Sequence, residues 1–598
     1  MPPPSCRRCK ASRRRRSRRR KSSKWRGSPS NWTPRSDAHE RLHARLQVRR
    51  MSIASRLPRM WHTVRYLRPV QIYGRAWHRL HRPRIEHAPA PAPAATDTRW
   101  TACARKPSML GANRFRFLND ERELAGNDWN STKLPKLWLY NLHYFDDLNA
   151  EGASSRSHWH RELIARWIAD NPPAGGNGWE PYCLSLRIVN WIKWRCAGQT
   201  FGDAARERSA LNSLAIQVRF LRRRLERHLL GNHLWANYKA LLFAGAFFQG
   251  AEAARWRTEG LNGLRREIDE QILADGGHFE RSPMYHAILL EDLLDMVQLA
   301  RLFPEAVPHT DVALWRDKAG AMLRWLSVMT HPDGGIAFFN DAALGIAPNF
   351  AELSAYALAL GIEAPEPSDE AMQLLPDSGY ARLQCGDAVV IADVGDIGPD
   401  YLPGHAHADT LSFELSLRGR RVLVNAGTSR YDIGAERLWQ RGTSAHNTIE
   451  IDGQNSSEVW SSFRVARRAR ASAVEHGHFG EGAWLAASHD GYRRLKGRPV
   501  HHRRWVLQPG ALRIEDRIDG AFDRAVARYR VHPDIRIEDH ALHLDANFGL
   551  RWRIEPATER TAASTYHPEF GLGRACRVIE ATLDPAVGNA VALFLWDC

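Results

Sequence analysis

The feature that most limits what this chain can fold into is a change of hydrophobic period near Ser378. From about Ser157 to Leu360, apolar residues recur at the spacing of amphipathic helices, broken every 20–30 residues by Gly, Pro or Asn. That spacing predicts helices over roughly 157–170, 182–198, 203–228, 232–249, 253–274, 283–303, 309–330 and 349–361. Such an antiparallel series closes into a bundle, a solenoid or a toroid, and periodicity alone leaves all three open. Beyond Ser378 the period falls to two. Short runs follow at Ala388–Val394, Leu411–Leu417, Arg421–Val424, Thr448–Ile451, His502–Leu507, Leu512–Asp516, Ala525–Val531 and Val591–Trp596, divided by turns such as Gln508-Pro-Gly. Many short strands without intervening helices indicate an antiparallel sandwich. The chain is therefore α first and β second, with the switch in the Pro-rich piece Ala364-Pro-Glu-Pro-Ser.

A length of 598 residues exceeds one ordinary core and agrees with that division. The expected organisation is a tail at 1–50, a basic and aromatic lead-in with a Pro/Ala linker at 51–100, a helical domain at 101–375 and a β domain at 376–598. The formal charge of +19 suggests nucleic acid until it is located. Residues 1–50 hold 18 Lys or Arg against 2 Asp or Glu, a net of +16, which leaves +3 for the remaining 548. The folded body is nearly neutral, so no nucleic-acid partner is expected for it. The tail, with runs Arg13–Arg16 and Arg18–Arg20, has the composition of a disordered segment. It reads as a targeting or nucleic-acid arm, or as an upstream extension of a frame that starts at Met51, where apolar and aromatic spacing begins.

No stretch reaches the ~20 apolar residues of a membrane span, and no secretory core of ~7–15 apolar residues follows Met1 or Met51. The segment from Met51 to Arg84 is basic and aromatic, a composition suited to weak contact with a membrane surface. Eight scattered cysteines read as buried thiols rather than a disulfide framework, and the Cys6/Cys9 pair lacks a zinc-spaced second pair.

Three clusters hold polar groups that a core would not choose. Asn232 and His233, in Gly231-Asn-His-Leu-Trp-Ala-Asn-Tyr238, open a helix whose N-terminus favours anions; Asn232 could equally cap that helix. In Asp275-Gly-Gly-His-Phe-Glu-Arg-Ser-Pro-Met-Tyr-His286, Ser282 reads as an N-cap with Pro283 behind it. Tyr285 then falls in the first turn, where the helix dipole favours a phenolate able to take a proton; the alternative is a packing tyrosine. In Gly404-His-Ala-His-Ala-Asp-Thr-Leu-Ser-Phe-Glu-Leu415, alternation puts His405, His407 and Asp409 on one face if a strand has begun. With Ser444-Ala-His446-Asn447 and Asn425 nearby, two histidines and a carboxylate or amide oxygen make a zinc-type set.

These motifs, together with Leu423-Val-Asn-Ala-Gly-Thr428 and Leu137-Trp-Leu-Tyr-Asn-Leu-His-Tyr144, resemble the heparinase II/III family of polysaccharide lyases from about Leu137 to Asp452. The resemblance implies an incomplete (α/α) toroid followed by an antiparallel β-sandwich. It also implies β-elimination on an acidic, uronate-containing polysaccharide, in the periplasm for such enzymes, although no export signal is visible. A cytoplasmic or membrane-peripheral site is the alternative. Carried across residue by residue, Asn232 neutralises the uronate carboxylate with help from His233. Tyr285 is general base, general acid or both, and His405 is the partner base. His407 and His446 hold a structural metal, typically zinc; its third ligand, usually Asp, is Asn425 here, and a neutral amide binds zinc less well. Trp179, as a ring for sugar stacking or equally as a core-packing ring, Arg187, as a charge for uronate, and Asn340 with Asp341 are the candidate groove residues.

Two other classes of function compete. A glycoside hydrolase on the same toroid needs opposed carboxylates such as Glu280 and Asp341, about 6–10 Å apart. A non-catalytic polysaccharide-binding or assembly factor needs affinity without turnover.

Overall fold

The computed structural model of the chain describes residues 53–96, 98–126, 128–366 and 368–597. The basic tail and its Cys6/Cys9 pair lie outside the described residues.

Eight helices stand where helical spacing predicted them: Ser157–Asp170, Pro181–Cys196, Ala204–Arg222, Gly231–Phe247, Gly250–Gln271, Pro283–Leu302, His309–Val328 and Phe350–Ala359. The Gly231–Phe247 helix is apolar on almost every side and buried along nearly its whole length, as an all-round hydrophobic helix must be. Its partner, Gly250–Gln271, packs backbone to ring against it: a Cβ on Gly263 would lie 2.3 Å from the Tyr238 ring. Trp138, Trp167, Trp191, Trp194, Trp235, Trp256, Trp315 and Trp325 fill the helical core. Their large rings span the wide gaps between helix pairs, which shorter side chains would leave as cavities. Three further helices, Ile53–Val64, Pro69–Leu80 and Lys136–Tyr144, lie before the series.

The helical series ends at Ala359 and the first strand of the large sheets begins at Met372, with one short helix, Ala435–Gln440, inside the β half. One sheet orders its strands as Ala557–Tyr566, Arg574–Leu583, Ala525–Val531, Arg420–Leu423, Phe413–Leu417, Ala388–Asp393, Tyr380–Cys385 and Met372–Leu375, with Ile449–Ile451 pairing beside Ala525–Val531. The other runs Ala471–Phe479, Gly482–His489, Val500–Gln508, Ala511–Asp519, Asn589–Trp596, Gly549–Glu555, Ala541–His543 and Arg536–Glu538. All these pairings are antiparallel. The inward residues of the two sheets, among them Phe413, Trp505, Tyr529 and Phe594, form a second core. The architecture is an (α/α) toroid followed by an antiparallel β-sandwich. Cys103, Cys183, Cys196 and Cys576 are buried thiols, their pKa values raised by burial.

Candidate active site

The site forms where two helix starts of the toroid meet the long loop that precedes Phe413–Leu417. Leu230 and Gly231 both hold positive φ, 63° and 54°, to turn the chain into its helix. Gly231 is required twice over, because a Cβ there would lie 2.7 Å from Glu280 Oε1 and 2.6 Å from Leu402. The Glu280 carboxylate thus sits against the helix start, accepting from the Asn232 amide at 3.4 Å. Asn232 is not the cap of this helix, since Leu230 occupies that position without a side-chain cap. Its own carboxamide makes no hydrogen bond with the described residues. His233 pairs with buried Glu226 at 3.2 Å and lies 4.5 Å from the Tyr182 ring. Burial opposes its protonation, but the Glu226 charge wins and raises the imidazole pKa.

The second helix start follows its sequence reading closely. Ser282 caps Pro283–Leu302 and accepts from the Tyr285 amide at 3.3 Å. Arg281, just ahead, holds φ 58°, and Asn340 across from it holds φ 56°, a conformation that costs an L-residue on the order of 1–2 kcal/mol. Such strain gathers where surrounding contacts over-determine the backbone. The Tyr285 ring stacks on His405 with centroids 3.8 Å apart, and its hydroxyl meets that of Tyr431 at 3.0 Å. Here the expectation of a lowered tyrosine pKa fails. Burial pushes the phenol well above 10, and Tyr431 and Asp341 push the same way, so one helix N-terminus does not compensate.

His405 sits between two carboxylates. Its Nδ1 meets Asp341 Oδ2 at 2.9 Å and its Nε2 faces Glu280 Oε2 at 3.5 Å. Asp341 is fully buried and also takes His407 Nε2 at 2.8 Å and both terminal nitrogens of Arg437. Burial alone would raise its pKa, but Arg437 and the hydrogen bonds from the two histidines hold the carboxyl well below the usual range. Burial raises that of Glu280. A permanently ionised Asp341 fixes the proton of His405 on Nδ1 and leaves Nε2 facing the cleft. With every lone-pair direction of Asp341 taken, Glu280 and Asp341 do not form an opposed pair for hydrolysis.

Several expectations need correction. The segment Gly404–Ser412 is loop, not strand, so alternation does not set its side chains. Asn425 is engaged with the backbone: its Nδ2 donates to Phe338 O, and its Oδ1 accepts from the Asn447 amide. The carboxylate that does lie beside the two histidines is Asp409: one of its oxygens and one ring nitrogen each of His407 and His446 lie within 4.8 Å of one another. Burial lowers the pKa of His407 to about 4 and that of His446 well below 6.5, leaving both imidazoles neutral.

Arg187 is not a groove residue. It is fully buried, donates to Gln217, His143 O and Gly178 O, and lies over Trp167 at 3.8 Å. Trp179 is equally internal, its Nε1 held by Asn171 O and its ring stacked on Trp167. Asn340 braces the site from within, donating to Arg281 O and the Tyr380 hydroxyl and accepting from the His407 amide. Tyr431, Arg437 and half-exposed Phe463 were not found from sequence. They lie in stretches without motif character, and only the tertiary approach of Tyr431 to Tyr285 and of Arg437 to Asp341 marks them.

Comparison with known proteins agrees with this fold. The family model for the heparinase II/III N-terminus matches residues 185–354, and that for the heparinase II/III-like C-terminal domain matches 367–589, together about two thirds of the chain. FtsZ-localized protein C of Caulobacter vibrioides is 26% identical over 505 residues, 78% of this chain and 83% of that protein. A heparin-sulfate lyase of Bacteroides stercoris is 26% identical over 249 residues, 38% of this chain and 37% of its own length. Among solved structures, heparinase III superposes with a TM-score of 0.65 at 17% identity, covering 79% of each chain, which carries the fold. With matched models on both halves and this fold, the chain belongs to the heparinase II/III-like proteins.

Proposed function

We propose that the chain is a polysaccharide lyase that cleaves a uronic-acid-containing polysaccharide by β-elimination. The observation that carries this reading is the Tyr285 ring stacked on His405, with ionised Asp341 behind the imidazole. Elimination must remove the C5 proton of a uronate while the 4-O-linked sugar leaves. The substrate carboxylate resists that loss unless its charge is neutralised. The Asn232 carboxamide and the His233 imidazole, whose charged form Glu226 favours, are suited to receive it at the positive end of the Gly231–Phe247 helix. His405 Nε2 takes the C5 proton, and Glu280 at 3.5 Å stabilises the imidazolium that results. Tyr285, whose phenol stays protonated, gives its proton to the leaving oxygen, with Tyr431 beside it to restore it. Phe463 and Tyr182, at the cleft rather than in the core, replace Trp179 as faces for sugar rings.

The set His407, Asp409 and His446 fits a divalent cation such as zinc. Two neutral imidazoles present nitrogens 3.3 Å apart, close to the ligand separation of a tetrahedral site with bonds of about 2.0–2.1 Å, and a carboxylate lies beside them. When bound, the ion would fix the loop that carries His405. Action in the periplasm is the compartment the family reading suggests.

A second reading has one observation in its favour. The relative that matches over most of the chain, FtsZ-localized protein C, is named for where it sits rather than for a reaction. A panel of heparan sulfate, alginate and other uronate polymers, followed by ultraviolet absorbance of unsaturated uronates, separates the readings. The lyase reading expects an absorbing product that Tyr285→Phe and His405→Ala abolish. Depolymerisation without unsaturated ends would replace it with hydrolysis. Tight binding without turnover, retained in Tyr285→Phe, would replace it with a non-catalytic factor.

A further inference from the structure

The two helices that open the described chain carry their apolar faces outward. In Ile53–Val64, the side chains Leu57, Met60, Trp61 and Val64 follow i, i+3, i+4, i+7 and are all exposed. In Pro69–Leu80 the exposed set is Ile72, Tyr73, Trp77 and Leu80, with Trp61 and Trp77 exposed by 65% and 63%. Polar groups on their other side, and Arg68 among the arginines, hold them to the body, while Arg65, Arg75 and Arg79 stay exposed beside the apolar residues. The Thr63 hydroxyl accepts from Trp460 Nε1 at 3.1 Å, and Arg468 lies over the Tyr66 ring at 3.8 Å. Gln71 donates to Tyr401 O at 3.0 Å, and Arg68 pairs with Glu270 while lying over the Tyr401 ring. Arg224 donates to the carbonyls of His78 and His81. An ordinary surface helix buries its apolar stripe; these two leave theirs in the open while remaining tethered.

Charge selects the occupant. Residues 53–85 contain eight Arg and no Asp or Glu. A second copy of the chain would bring sixteen like charges around one apolar contact, a repulsive arrangement. A surface that is negative at its rim and apolar beneath receives all of these groups: Arg at the headgroups, Trp and Tyr at the boundary, Leu, Met and Ile below. We propose that this face docks on an anionic lipid bilayer, the two helices lying in the interfacial plane and holding the folded body at the membrane. Among the described residues no helix is long and apolar enough to cross a membrane, and in-plane docking needs none.

The test uses the full chain with vesicles of phosphatidylcholine alone and of phosphatidylcholine containing one third phosphatidylglycerol. We expect co-sedimentation with the anionic vesicles at least about tenfold stronger than with neutral ones, weakening with salt. The double variant Trp61→Glu/Trp77→Glu should lose about tenfold or more of that binding with an unchanged melting temperature, because both rings are exposed. Vesicles with brominated acyl chains supply a second readout: they should quench part of the parent's indole emission and none of the variant's. Equal binding by parent and variant would overturn the proposal and leave residues 1–50 as the lipid-binding element. Absence of vesicle binding by the parent would overturn it outright. Loss of a lipid-independent dimer in the variant would assign the face to a second copy instead.

Discussion

Two buried aspartates, each with histidine and arginine partners, show how one ionic motif serves different ends. In the sandwich, Asp516 takes His501 Nε2 and Arg503 Nε, both at 2.7 Å, and all three side chains are sealed from solvent. At the junction of the two domains, Asp341 takes His405, His407 and Arg437, and there the shell is open on one side. His405 keeps 13% exposure, turns its second nitrogen to the cleft and lies under Tyr285. The closed cluster is sealed on every side; the open one holds an imidazole with one nitrogen free to face the cleft, as the proposed chemistry requires. The difference is a single histidine face, and nothing in residue type foretells it.

The comparison can be broken most sharply with the histidines. His405→Ala should lower kcat/KM on a uronate polymer by about 10²–10⁴-fold at unchanged melting temperature. His501→Ala should lower the melting temperature and leave the folded enzyme's turnover nearly intact. If His501→Ala inactivates without destabilising, the contrast is wrong.

The aspartates come next. Removing one partner of a buried charged cluster costs about 3–5 kcal/mol, so Asp341→Asn and Asp516→Asn should each destabilise on that scale in urea unfolding. Only Asp341→Asn should also collapse turnover in the molecules that remain folded, because it frees the His405 proton to change nitrogen. Equal turnover in the two variants would remove Asp341 from the positioning role.

A smaller effect appears in acid. Burial would raise the Asp516 pKa, but Arg503 and His501 lower it from 3.8 to about 2. A depressed carboxylate contributes stability that is complete above its unfolded value and is lost as pH falls through the folded one. The parent should therefore lose about 2 kcal/mol from this group between about pH 4 and pH 2. Asp516→Asn should lack that component, which urea midpoints across the window would measure.

The smallest effect tests a correction. Arg187→Met should leave KM unchanged while shifting the melting temperature, since its guanidinium, its pKa brought to about 9 by burial, touches only protein. A raised KM would return Arg187 to the groove.

Periodicity found the eight helices from Ser157 to Ala359 because each must bury one stripe, and that need is written at 3.6-residue spacing. It missed Ala471–Phe479, Gly482–His489 and Ala557–Tyr566, whose Gly, Ala, Ser and Thr carry little apolar alternation and whose pairing depends on neighbouring strands. The cap at Ser282 and the first-turn place of Tyr285 were local and therefore legible. The upward shift of its phenol pKa was not, because that is set by burial and by Tyr431, 146 positions away.

The same division holds for the metal-type residues and the lead-in helices. His407 and His446 stood out by type, but that Asp409 lies beside both, while the Asn425 carboxamide is engaged with Phe338 O, follows only from how the loops pack. The basic, aromatic composition of residues 53–85 was plain in the sequence; that its apolar side chains point outward was not. Sequence by itself determined the order α then β, the near-neutral body and the motifs that gather at one junction. Tertiary structure alone decided which of the buried charges is open to a substrate, because exposure and pairing belong to the packed whole and not to any one segment of it.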